Sequence, residues 1–441
     1  MKFGGTSLAS GDRIQNAAQI IANRTTHNPV IVTSAMSQIT NLLIATAHAA
    51  LAQDKKTVQK NLTLIRDKHF AVASNPDIQT EIESILTKLE ERCQGIMMLE
   101  ELSAHNLDVI SSFGERLSSW LMLETLRNQG LKAERFESRD LVRTDNQFGG
   151  AEVDWKITQE QIQTALKPII EQGIIPVITG FIGSTENGET TTLGRGGSDY
   201  TASIMGVTLK ATEIQIWTDV DGMMTCDPRL IPTARVLENI DFQEAAELAY
   251  FGAKVLHPKT IQPAVEANIP VKILNTMNPE ATGTTILETD EISEHSIKAI
   301  AFKKGISVIN ICSSRMLGPY GFLAKIFDTF ATHKVSVDVL ATSEVSVSVT
   351  VEDDSFDAAF IQDLETFSKV TVIPHQTLIS VVGNGLKNDY RVEQRVFDTL
   401  AREKIPTELI SKGASQINLT FIVLADQAEH AVISLHNTFF Q

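Results

Sequence analysis

Cysteine is scarce in this chain. Cys93, Cys226 and Cys312 are the only three in 441 residues, and they are widely spaced. That set builds no disulfide framework and no cysteine-based zinc site, and it suits a reducing compartment. No apolar run approaches the roughly 18 residues that read as a membrane span. Positive charge is in deficit, with 38 Lys and Arg against 54 Asp and Glu and a net charge of −16. This balance argues against sequence-independent binding to nucleic acid or to an anionic membrane. An anionic small molecule then needs positive groups placed locally. The opening Met1-Lys2-Phe3-Gly4-Gly5-Thr6-Ser7 is neither a signal nor a transit peptide, so a cytoplasmic protein is expected. With two residues before Phe3, it reads as a slightly shortened start.

Several catalytic signatures are missing as well. There is no Walker A spacing, no His-Arg-Asp or Asp-Phe-Gly set, no Gly-x-Gly-x-x-Gly after a strand, no Gly-x-Ser-x-Gly and no His-Glu-x-x-His. The ten histidines are scattered. His257, just before Pro258, reads as structural.

What remains is ordinary globular composition, 43% apolar and 21% charged, at a length that calls for two or three domains. Apolar runs at residues 29–35, 174–182, 213–222 and 269–274 read as strands. Helical spacing over residues 12–24, 39–51, 158–172 and 242–250 alternates with them. Residues 57–111 read as mostly helical with a break near Asn75-Pro76, and Ser112-Phe113-Gly114-Glu115-Arg116 reads as the opening of a further helix. Strands alternating with long helices predict an α/β domain with a mainly parallel sheet sandwiched by helices. The polar, acidic stretch near residues 288–296 marks its end, giving a first domain over residues 1–290.

Beyond that stretch lies a repeat. Phe327-Asp328-Thr329-Phe330-Ala331 recurs about 70 residues on as Phe397-Asp398-Thr399-Leu400-Ala401. Each copy reads as helix, strand, turn, strand, with upstream strands at residues 307–311 and 378–382. Residues 297–372 and 373–441 therefore form two small α/β units, separate or interleaved. They carry no chemical constellation, which suits a regulatory or structural part.

The chemistry-bearing residues sit in glycine-rich turns. Thr190-Thr191-Thr192-Leu193-Gly194-Arg195-Gly196-Gly197-Ser198-Asp199-Tyr200-Thr201 follows a strand and enters a helix. Backbone N–H groups converge on anions at such places. The plainer reading is a tight turn with Ser198 or Asp199 as N-cap. Lys2 stands beside Gly4-Gly5. Ser34-Ala35-Met36-Ser37-Gln38-Ile39-Thr40-Asn41 follows another strand, as do Thr218-Asp219 and Cys226-Asp227-Pro228-Arg229. Lys254 follows Phe251-Gly252-Ala253. Cations next to glycine backbone suit a transferring phosphoryl group, whose transition state chiefly needs positioning and positive charge.

Together, Lys2-Phe3-Gly4-Gly5-Thr6-Ser7, the 190–201 stretch, Trp217-Thr218-Asp219-Val220 and Phe251-Gly252-Ala253-Lys254-Val255-Leu256-His257-Pro258 resemble the aspartate kinases of the amino acid kinase family. The resemblance covers nearly the whole chain, and the repeat resembles paired ACT domains of βαββαβ form. Met316-Leu317-Gly318-Pro319-Tyr320-Gly321-Phe322-Leu323-Ala324, with the segments Ser336-Val337-Asp338 and Ser343-Glu344-Val345-Ser346, looks most like the lysine-sensitive monofunctional branch. The resemblance implies transfer of the ATP γ-phosphoryl group to the β-carboxylate of L-aspartate, with Mg²⁺ bridging the phosphates and no metal site built by the protein alone. It assigns catalysis to Lys2, Lys254 and Asp199. Substrate binding falls to Thr40, Glu115, Arg195 and Ser198. ATP binding falls to Lys2, Gly4, Gly5, Gly196, Gly197, Thr218, Asp219, Met224, Arg229 and Lys254. Lysine as effector falls to Met316, Pro319, Phe322, Leu323, Ser336, Val337, Asp338, Ser343 and Glu344. A homodimer or homotetramer through the ACT units is implied. Some relatives carry tyrosine where Met224 stands here. Two other readings stay open: a kinase for another small carboxylic acid, such as glutamate or carbamate, and a non-catalytic amino-acid sensor.

Overall fold

The computed structural model describes residues 1–251, 256–288, 297–313, 320–387, 389–413 and 417–441. The chain divides into two units, Met1–Met223 with Glu238–Phe242 and Val255–Glu288, and Met224–Leu237 with Gln243–Lys254 and Thr289–Gln441.

In the first unit the elements run β1 (Lys2–Phe3), α1 (Gly11–Ala22), β2 (Ile31–Thr33), α2 (Ile39–Leu51), α3 (Lys55–Phe70), α4 (Pro76–Leu99), α5 (Ala104–Asn128) and β3 (Ala133–Phe136). There follow α6 (Trp155–Glu171), β4 (Ile175–Thr179), β5 (Ile182–Ser184), β6 (Thr190–Thr192), α7 (Gly197–Thr208), β7 (Ile214–Thr218) and β8 (Asn239–Asp241). Helix α8 (Phe242–Phe251) starts here, and α9 (Pro258–Glu266), β9 (Val271–Asn275) and β10 (Thr284–Leu287) complete the unit. The sheet order is β3-β4-β2-β1-β7-β9-β10-β8. Its first six strands are parallel, and β10 runs antiparallel to β9. The expected mainly parallel sheet is therefore present, and β1, β2, β4 and β7 end on one edge.

The break expected near Asn75-Pro76 is a helix start. The Asn75 side chain accepts from the Asp77 amide, and proline occupies the first turn, where its missing N–H costs nothing. The helix expected to open at Ser112 does not open there. Helix α5 begins eight residues earlier, capped by Ser103, and runs straight through Gly114 and Glu115. Gly114 is not a breaker. A Cβ there would lie 2.6 Å from the Ala35 Cβ, so glycine lets α5 lie against the turn after β2. Gly114→Ala should then cost about 1–3 kcal/mol, the range for overpacking a filled interior, read as a lower urea midpoint. The run 174–182 also divides. The Gly180 N–H donates to the Thr33 carbonyl at 2.9 Å, and Phe181 adopts φ 74°. The chain thus leaves the main sheet and forms β5, which ladders with β6 and is bridged at Ser184 to Arg143.

The second unit contains β11 (Ala299–Cys312), α10 (Phe322–Thr332), β12 (Leu340–Thr342), β13 (Ser346–Glu352), α11 (Ala358–Glu365), β14 (Lys369–Val382), α12 (Arg391–Arg402), β15 (Ile410–Ser411), β16 (Asn418–Leu424) and α13 (Ala428–Phe440). One sheet in the order β12-β13-β11-β14-β16-β15 joins both repeats. The strands expected at 307–311 and 378–382 are each 14 residues long and pair with one another along their length, with register shifts beside Gly305. The C-terminal half of β11 pairs with β13, and the C-terminal half of β14 pairs with β16. The strand expected at 335–340 is shorter and later. Val335 and Val339 are buried, but only Leu340–Thr342 is laddered to β13.

Candidate active site

The site grows from the edge where β1, β2, β4 and β7 end, the place where open α/β sheets bind ligands. The Gly4 N–H donates to the Trp217 carbonyl at 3.0 Å, which draws the end of β1 against β7. A Cβ on Gly5 would lie 3.1 Å from the Ala35 carbonyl oxygen, so the two turns touch backbone to backbone. The Ser34 N–H reaches the Phe3 carbonyl at 3.1 Å. The glycines thus permit close approach of three chain segments around Lys2.

The 190–201 stretch resolves against the capping reading. The N-cap of α7 is Gly196 at φ 72°, with no side-chain cap bond. Ser198 and Asp199 lie inside the first turn and are buried. Asp199 turns its carboxylate to Lys2, with Oδ1 at 2.6 Å from Nζ, both side chains about one-tenth exposed. Ser198 packs where a Cβ on Gly180 would come within 2.8 Å of its own Cβ and Oγ. Gly194 and Gly196 take positive φ, 75° and 72°. Gly197 does not, and its backbone is there because a Cβ would strike the Phe181 ring at 2.6 Å. Arg195 is exposed, and its charge lowers the pKa of His257 after the larger effect of burial.

Glu115 is a buried carboxyl group on α5. It is 4% exposed, and burial raises its pKa to about 8. The Ala35 amide, its own amide and the Lys2 charge pull the other way without cancelling that cost. Its Oε2 has no hydrogen-bond partner among the described residues. A cationic group brought to this oxygen removes the penalty. Thr40 sits in the first turn of α2, half-buried. The turn before it is held by Lys68, whose Nζ donates to the Ser37 carbonyl at 2.5 Å. Sequence reading missed Lys68, which shows only as one charge on an amphipathic helix. Thr218, half-buried at the end of β7, donates to the exposed Asp219 at 3.2 Å.

Met224 and Arg229 belong to the second unit. Met224 is half-buried and bridged to Val236, and exposed Arg229 is paired with Asp227. Lys254 lies outside the described residues, as do Met316 and Pro319. The roles of these five rest on the resemblance. Among the described effector residues, Phe322 and Val337 pack on the first-repeat core. Leu323, Ser336, Ser343 and Glu344 are exposed, and the Ser343 hydroxyl shares a bond with Ser346 at 2.7 Å. Asp338 is not an open strand-end acid. Its side chain is 5% exposed, and its carboxylate holds Lys303 Nζ at 3.1 Å and the Tyr250 hydroxyl at 2.9 Å. Lys303 also pairs with Glu352 at 2.8 Å.

This edge, with lysine, carboxylates and glycine backbone converging, is that of a phosphotransferase acting on a small anion. Residues 1–275 match the model of the amino acid kinase family, and residues 309–362 and 379–439 match an ACT domain. Aspartokinase 3, chloroplastic, of Arabidopsis thaliana is 38% identical over 100% of this chain and 81% of its own length. Lysine-sensitive aspartokinase 3 of Escherichia coli K12 is 36% identical over 100% of this chain and 98% of its own. The crystal structure of E. coli aspartokinase III with aspartate and ADP superposes with a TM-score of 0.88 at 36% identity, covering 100% of this chain and 99% of that one. The same enzyme with lysine and aspartate gives 0.85 over the same coverage. The chain belongs to the aspartokinases, amino acid kinases that carry ACT domains. No helix among the described residues is long and apolar enough to cross a membrane.

Proposed function

We propose that the chain transfers the γ-phosphoryl group of ATP to the β-carboxylate of L-aspartate, forming 4-phospho-L-aspartate, and that L-lysine inhibits it through the first repeat. The observation that carries the reading is Glu115, a buried carboxylate with one unpaired oxygen beside the Lys2–Asp199 pair. It is a receptor for the α-ammonium of an amino acid. Arg195 takes the α-carboxylate, where a guanidinium binds in two-pronged fashion, and Thr40 and Ser198 donate to the substrate. The acceptor carboxylate, with a pKa near ~4, is already ionised at pH 7. It needs no general base. Lys2 neutralises charge on the transferring group, and Asp199 fixes its ammonium. The backbone at Gly4, Gly5, Gly196 and Gly197 faces the phosphates, with Thr218 and Asp219 toward the nucleotide. Among the described residues no three or more His, Cys, Asp or Glu side chains form a cluster able to hold a metal ion. Mg²⁺ would be carried on the ATP phosphates, neutralising their charge. A cytoplasmic homodimer or homotetramer assembled through the ACT repeats completes the reading.

Hydroxamate trapping of the acyl phosphate, with aspartate, glutamate and carbamate offered in turn, tests it. Product with aspartate alone is expected. A glutamate- or carbamate-dependent product, or none at all, would reject the assignment. In the effector site, the ε-ammonium of an incoming lysine must compete with Lys303 for Asp338. Lys303→Met should therefore lower the lysine concentration for half-inhibition about 10-fold, and Asp338→Asn should raise it by at least as much, with basal kcat kept. Inhibition curves of the two variants give the answer directly.

A further inference from the structure

Helix α5 carries a second buried carboxylate two turns before Glu115. Asp108 is 3% exposed. It plays no part in capping, which Ser103 performs. Its Oδ2 accepts from the Gly149 N–H at 2.9 Å and the Thr192 N–H at 2.8 Å, and its Oδ1 accepts from the Thr192 hydroxyl at 2.8 Å. Thr192 ends β6, three residues before Arg195. The 149–151 loop closes the same joint. The Ala151 N–H donates to the Thr192 carbonyl at 2.9 Å, and a Cβ on Gly194 would lie 3.3 Å from the Gly149 carbonyl oxygen. Three donors on one buried carboxylate thus bolt the strand that delivers Arg195 to the helix that delivers Glu115.

We propose that Asp108 is a positioning residue that sets the spacing between Glu115 and Arg195, and so selects a substrate whose α-ammonium and α-carboxylate match that spacing. The inference rests on the reading of Glu115 and Arg195 given above. A helix is a stiff ruler at 1.5 Å per residue. Releasing the clamp leaves both recognition groups in place but frees the distance between them, and a misplacement of about 1 Å costs on the order of 100-fold in a well-oriented site.

The test uses the full-length protein and steady-state kinetics with thermal unfolding in parallel. Asp108→Ala should raise KM for aspartate by roughly 10- to 100-fold while KM for ATP stays within about twofold. Asp108→Asn should recover aspartate KM to within about threefold of the parent. Its amide oxygen accepts both N–H groups, and its NH₂ donates to the Thr192 hydroxyl, which can turn to accept. Thr192→Val, which removes one of the three contacts and little volume, should fall between. An aspartate KM unchanged in Asp108→Ala overturns the proposal, as does an equal rise in both KM values, or an Asn variant no better than Ala. If Asp108→Ala fails to fold, an unchanged aspartate KM in Thr192→Val overturns it. Arg195→Ala separates the two layers. A normal aspartate KM in that variant sinks the substrate reading itself, whereas a raised one beside a normal Asp108→Ala sinks only the clamp.

Discussion

Lys2→Met is expected to lower kcat by about 1,000-fold, the scale on which removing a preorganised charge from a transition state acts. It should also weaken the fold. Lys2 and Asp199 form an ion pair with each side chain about one-tenth exposed. Removing one partner of such a pair leaves the other charge buried alone, at about 3–5 kcal/mol. The double variant Lys2→Met/Asp199→Asn separates the two effects. Taking out both charges should return stability to within about 1 kcal/mol of the parent, since a buried pair contributes little net, while activity stays lost. Urea unfolding and kcat measured on the same preparations decide it. A double variant as unstable as Lys2→Met would mean that the lysine stabilises through packing and not through its carboxylate.

Glu115→Gln is expected to move activity and stability in opposite directions. The amide cannot meet an ammonium with charge, so kcat/KM for aspartate should fall by about 100- to 1,000-fold. Stability should rise. In the folded chain Glu115 keeps its proton up to about pH 8, whereas unfolded it releases it near ~4.3. The folded state binds more protons between those values, so this group's contribution is full below the unfolded pKa and is lost as pH rises toward 8. The variant should remove that slope. Its urea midpoint should exceed the parent's by the largest margin above pH 8 and match it near pH 4. Aspartate binding at pH 7 should also release protons, because the α-ammonium draws Glu115 into its charged form. Titration calorimetry in buffers of different ionisation heat detects that release. No proton release would remove Glu115 from the ammonium site.

The α/β alternation was legible because parallel strands buried on both faces read as apolar runs, and α2 was read to its observed bounds, Ile39–Leu51. Glycine was the weak point. Gly114 reads as a start signal in isolation, but its reason lies in the Ala35 methyl across the packing. No local pattern distinguishes a glycine that bends the chain from one that admits a neighbour. The same limit hid the division of the 174–182 run at Gly180-Phe181. Individual site residues were visible as motifs, but not all of their partners were. That Asp338 is already held by Lys303 and Tyr250 depends on segments far apart in sequence. Asp108 stood out least, as one acid in a helix with no motif around it.

The shared ladder of β11 and β14 bears on how the regulatory part is made. Because β11 is synthesised before β14, its N-terminal half, though the Ile300 N–H is taken by the Thr225 carbonyl at 2.8 Å, has no partner strand among the described residues until the second repeat emerges. An unpaired edge of that kind invites pairing with other chains. Neither repeat is a removable cassette. A truncation after residue 368 leaves β11 with one face of its ladder empty, and such a fragment is expected to aggregate instead of folding as half a sensor. Birth order along the ribosome, and not only effector chemistry, decides which edges of this sheet stand open while it folds.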